Sequence, residues 1–263
     1  MSPKSMHWPD IPGMALWPWR RGVPLRIDID HASPTGLPEE AEAEVQRRWA
    51  ALRHENPRLH DGRILSVAAL DADRGHVRAT VGSFKHLAVQ GDGLDLGVRL
   101  LGVKAVILAR DAAGHEHVLL ARRGTATRIY GGMWEVAPAG GIDPPPVGVA
   151  SLSTADVIAT VSHEARDELG LALDVADARL LAIARDDTAH CYDFFCALTW
   201  PEIIDPRRGL ICAASAEAND WEYLDTVWLP RREADQFDRD HAAAIVGPAR
   251  AVLRWMGWTG LPE

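Results

Sequence analysis

The chain of 263 residues carries 37 acidic and 28 Lys or Arg side chains, a formal net charge of −9, with 47% hydrophobic residues. This is the balance of an ordinary globular protein, and it excludes a nucleic-acid groove, which needs a basic stripe. No apolar run approaches the roughly 20 residues a membrane helix requires, so neither nucleic acid nor membrane is an expected partner.

In chain order, residues 1–23 scatter Pro3, Pro9, Pro12 and Pro18 among Trp8, Trp17 and Trp19. The pattern predicts irregular backbone whose tryptophans pack on the body, and it lacks the continuous apolar stretch of a secretory leader. Pro38-Glu39-Glu40 opens a predicted helix with Ala41, Val45, Trp49 and Leu52 on its apolar face, and Asn56-Pro57 ends it. Residues 63–70 and 76–83 read as a hairpin, and a polar stretch at 90–93 leads into the second half of the chain. There, 102–108 reads as a buried strand, Asp111 to Gly114 as a turn, and 118–123 as the returning strand. Further strands are predicted at 178–185, 191–199 and 226–229, before a helical region interrupted near Gly247-Pro248. Cys191, Cys196 and Cys212 are odd in number and lack metal-ligand spacing, which predicts buried thiols in a reducing compartment. A cytoplasmic protein is expected.

The most informative segment is Ser162-His163-Glu164-Ala165-Arg166-Asp167-Glu168-Leu169-Gly170-Leu171. Ser153 or Thr154 can cap a helix, with Asp156 at capping-box spacing, and Gly170 suits its left-handed end. Ile158, Val161, Ala165 and Leu169 form the predicted core stripe, with Glu164, Asp167 and Glu168 crowded on an arc beside it. Like charges at that spacing cost about 0.2–0.5 kcal/mol per pair. A hard divalent cation offsets this through oxygen ligands; a solvated acidic face is the alternative.

The preceding residues, Gly131-Gly132-Met133-Trp134-Glu135-Val136-Ala137-Pro138-Ala139-Gly140-Gly141, sharpen the reading. A hairpin, then Trp-Glu-Val-x-Pro-x-Gly-Gly, then an acidic helix ending in glycine resembles the Nudix hydrolases over roughly residues 98–260. Their signature runs G-x5-E-x7-R-E-U-x-E-E-x-G-U, with U aliphatic, and residues 163–171 fall on its second half. The resemblance implies a Nudix-type α/β/α sandwich with a mixed sheet at 96–263, preceded by a smaller α+β region at 1–95. It also implies catalytic Glu164, Asp167 and Glu168, a metal site of those three with the Gly140 carbonyl, and Mg²⁺ (or Mn²⁺) as cofactor.

Departures from the signature bear on activity. Gly141 to His163 is eight residues longer than the family spacing, Val147 stands where an early Glu is expected, and His163 replaces Arg. The lengthened loop, the Asp-Glu pair, and Trp49 followed by Asn56-Pro57-Arg58-Leu59-His60-Asp61-Gly62 are similar to the UDP-sugar diphosphatase type. That resemblance implies hydrolysis of UDP-glucose or another UDP-sugar to UMP and sugar 1-phosphate. The alternatives are a Nudix-fold nucleotide-binding module without turnover, or an enzyme for ADP-ribose or a CoA. Arg122, Gly141 and Glu222 are the candidate substrate contacts. Arg123, Glu217, His163, Trp134, Trp221, Lys85 and His86 are weaker candidates, each with an ordinary structural role as its alternative.

Overall fold

The computed structural model describes residues 5–32, 37–207 and 222–260. Its strands are β1 (Met6–Trp8), β2 (Ile11–Pro18), β3 (Arg26–Asp30), β4 (Arg63–Asp71), β5 (His76–Ser83), β6 (Leu100–Asp111), β7 (Glu116–Arg123), β8 (Trp134–Val136), β9 (Ala139–Gly141), β10 (Ser151–Ser153), β11 (Arg179–Asp186), β12 (Cys191–Ile204) and β13 (Tyr223–Pro230). Its α-helices are α1 (Glu39–Glu55), α2 (Phe84–Ala88), α3 (Thr154–Leu169), α4 (Ala234–His241) and α5 (Gly247–Trp255).

One mixed sheet runs through the molecule in the order β1-β2-β11-β12-β6-β4-β5-β3-β10. The β12–β6 and β3–β5 pairs are parallel, while β6 also pairs β7 and β9 antiparallel. Period-two alternation sorts the long strands onto two cores. Leu101, Val103, Ala105 and Ile107 of β6, with Phe194 of β12, pack with Val157, Val161, Ala165 and Leu169 of α3. Val106 and Phe195 instead join Ala249, Val252 and Leu253 of α5. Helices thus cover both faces, the α/β/α layering expected from the sequence. None of the helices among the described residues is long and apolar enough to cross a membrane.

Helix α3 begins and ends as its sequence dictates. The Ser153 backbone N–H and hydroxyl both donate to Asp156, each at 2.7 Å, and Gly170 caps the far end at φ +67°. The buried residue of its first turn is Val157 rather than Ile158, a shift of one position along the stripe.

The amino-terminal segment is more regular than its prolines suggest. Residues predicted to be irregular contain β1 and β2, and β2 pairs β11 from Met14 to Pro18. Pro12 stands outside that pairing and Pro18 at its end, so neither interrupts a run of ladder bonds. The tryptophans do pack on the body: Trp17 stacks on Tyr192 at 6.4 Å and Trp19 meets Phe194 edge-on at 5.9 Å. The carboxy-terminal helical region is interrupted where expected: Ile245 and Val246 are extended, and Gly247-Pro248 opens α5, since proline is accommodated in a first turn.

Candidate active site

Strand β9 lies beside the first half of β6, with Gly140 opposite Val103, and α3 crosses over it. The last two turns of α3 therefore aim Glu164 and Glu168 at the β9 backbone. The Ala139 N–H donates to Glu168 Oε2 at 3.1 Å. A Cβ on Gly140 would sit 2.3 Å from the Glu164 carboxyl carbon, so glycine is what lets that carboxylate lie against the chain. Glu222, just before β13, completes the group: its carbonyl accepts from the Gly124 N–H at 2.7 Å, and its carboxyl hydrogen-bonds Glu168.

Gathering three carboxylates in a half-buried place disfavours their ionisation. Burial, then the charge on Glu222, pushes Glu164 up to about 7, with Asp143 and Asp167 adding and His163 opposing. Burial, then the hydrogen bond and charge of Glu222, holds Glu168 well above the usual carboxylate range.

The other sequence candidates are distributed unevenly. Gly141 lines the cavity with Gly140. Asp167 does not: it is exposed and lies 3.3 Å from His163 Nε2 one turn back. Arg122 also lies outside the cavity, its guanidinium 5.9 Å from the centre of the Trp134 ring. Trp134 itself packs edge-on against Phe237 at 6.0 Å. Lys85 and His86 face Glu42 at 3.9 and 4.0 Å, away from the cavity. Glu217, Trp221 and Cys212 lie outside the described residues. Cys191 and Cys196 are buried free thiols.

Strand alternation makes Arg123, not Arg122, the arginine that enters, and it joins a charged cluster the sequence reading missed. Glu135 is fully buried and accepts from Lys104 Nζ at 2.6 Å, from Arg123, and from the Tyr223 hydroxyl at 3.3 Å. Lys104 also lies 3.9 Å from Asp193. Burial alone would raise the Glu135 pKa, but Lys104 and Arg123 outweigh it and hold it below the usual value. One signal was present: Lys104 interrupts an otherwise apolar strand, and such a charge requires a buried partner.

Lys104, Arg123 and Asp193 share with Glu164, Glu168 and Glu222 one cavity of about 870 Å³, large enough for a nucleotide derivative. Asn56, Leu59, Gly62 and Ile64 wall it with Phe84 and Leu87, and Asn56, Leu59 and Phe84 also border Glu168 and Glu222. The donor set suits a hard cation in kind, being carboxylates beside a backbone carbonyl. Among the described residues, however, no three such side chains already converge as a cage. Their present contacts are to one another and to β9, so closing on a cation requires side-chain rotation.

No protein-family model matches the chain, and no curated protein sequence does. Solved structures with a related outline include DR0079 from Deinococcus radiodurans, at 17% identity and TM-score 0.43, covering 73% of this chain and 98% of that one. A NUDIX hydrolase from Alicyclobacillus acidocaldarius shares 14% identity at TM-score 0.43, over 61% and 91% of the two chains. The NUDIX domain of Shewanella oneidensis NrtR, complexed with ADP ribose, shares 17% at TM-score 0.37, over 61% and 94%. Likeness at this level is too low to carry a substrate or a residue role.

Proposed function

We propose that this chain is a Nudix-type, divalent-cation-dependent hydrolase of nucleoside diphosphate-linked compounds, and specifically a UDP-sugar diphosphatase. The observation that supports the reading is Glu164 and Glu168 lying against the β9 backbone, with Glu222 hydrogen-bonded to Glu168, in the lining of a nucleotide-sized cavity. Those three, with the Gly140 carbonyl, would hold Mg²⁺ or Mn²⁺, and Asp167 stays outside the set. Bound there, the cation supplies the positive charge that neutralises a diphosphate and lowers the pKa of water. Glu164, lying against the β9 backbone, would accept a proton from the attacking water. The water oxygen bonds to phosphorus as the bridging P–O bond breaks, giving UMP and sugar 1-phosphate.

A second reading is a nucleotide-binding module without turnover, favoured by Val147 at the early Glu position and by the outward turn of Asp167. Incubation of the purified protein with UDP-glucose and Mg²⁺, read by UMP release, separates the two, with ADP-ribose and CoA as parallel substrates. Release of UMP that fails in Glu168→Gln supports the hydrolase. Binding without release over hours, unaffected by that substitution, supports the module.

A further inference from the structure

The cations that line the cavity differ in their partners, and Arg58 is one with an interaction of its own. Lys104 and Arg123 are committed to Glu135. Arg63 and Arg128 are not committed to any carboxylate. Arg63 opens β4, is exposed, and lines the cavity; among the described residues nothing pairs with its guanidinium. Arg128, in the turn between β7 and β8, also lines the cavity, and its side chain makes one long contact, 3.4 Å to the Ala189 carbonyl. Arg63 belongs to the region before residue 96 and Arg128 to the region after it.

An arginine guanidinium is a planar fork matched to phosphate oxygens, and it holds its charge at any physiological pH. Among the described residues neither fork is in an ion pair, Arg128 feeling Asp186 only through space, so both leave charge that a ligand can satisfy. We propose that Arg63 and Arg128 form a phosphate-binding subsite that acts without the metal. It would take the phosphate oxygens that the carboxylate-bound cation does not reach. The subsite rests on this cavity being the substrate site, but not on hydrolysis. It also gives the region before residue 96 a direct part in binding.

The test is calorimetric titration of inorganic pyrophosphate into the full chain in excess chelator, where no cation contributes. Saturable binding is expected in the unaltered protein. Arg63→Gln and Arg128→Gln should each weaken it by about tenfold, the loss of a charged hydrogen bond. Arg63→Lys and Arg128→Lys should fall between, keeping charge but losing the fork. Arg166→Gln removes the same charge from an exposed position of α3 outside the cavity and should bind as the unaltered protein does. Absence of saturable binding in chelator would overturn the proposal. Equal affinity in the Arg63 and Arg128 variants, or an equal loss in Arg166→Gln, would do the same. Because turnover is not measured, a chain that binds pyrophosphate this way but leaves UDP-glucose intact refutes the proposed hydrolysis while sustaining the subsite.

Discussion

At the scale of single residues, adjacency in sequence and position in space diverge most clearly at Asp167 and Glu168. Successive helical residues point about 100° apart, so only one of the two can face β9, and it is Glu168. The acidic run was legible; the division of labour within it required knowing where β9 lies. Glu222 was legible only as one loop acid among several, because its distance from α3 along the chain hides their contact. Glu164→Gln should lower UMP release at least about tenfold, a lower bound beneath the roughly 10²–10⁴-fold that a positioned acid–base group contributes; an unchanged rate would contradict its role. Gly140→Ala should cut turnover while scarcely moving the thermal midpoint, since the added methyl displaces the flexible end of Glu164 rather than backbone. Glu135→Ala should instead act on stability. It strands Lys104 and Arg123 in the interior, a loss of about 3–5 kcal/mol by chemical denaturation.

At the scale of elements, what could be read was what local chemistry decides. Helix α3 matched at both caps because capping depends on residues within one turn. Gly170→Ala should destabilise the protein by about 1–2 kcal/mol, the cost of forcing a Cβ into left-handed backbone, measurable by urea unfolding. The hairpin of β4 and β5 was equally visible, since its strands alternate and its turn is short. Strands β2, β3 and β10 were not recognised. Each pairs with a segment distant in sequence, β2 with β11 and β3 with β5 and β10, and proline-rich or three-residue segments show little periodicity of their own.

At the scale of the whole molecule, the raised carboxylates set how stability responds to pH. Glu164 is near 7 and Glu168 well above its ordinary value when folded, so the native state binds more protons than the unfolded chain near neutrality. Stability in chelator should therefore rise by several degrees of thermal midpoint as pH falls from about 8 towards 5. Glu135 has the opposite sign: its depressed value stabilises above the ordinary carboxylate pKa and is lost as pH falls below about 4. Glu164→Gln should flatten the upper limb, and Mg²⁺ at pH 8 should recover the loss by mass action; a flat profile in the unaltered protein would refute the assigned shifts. The sheet order carries a separate consequence for biosynthesis. Segments translated first pair with segments translated late, β3 with residues 151–153 and β2 with residues 179–186. With β3 able to pair β5 and β2 to pair β1 early, a nascent chain must still hold one edge of each open until more than half its length has been translated. Such long-range closure makes for slow maturation and a window in which open edges invite self-association.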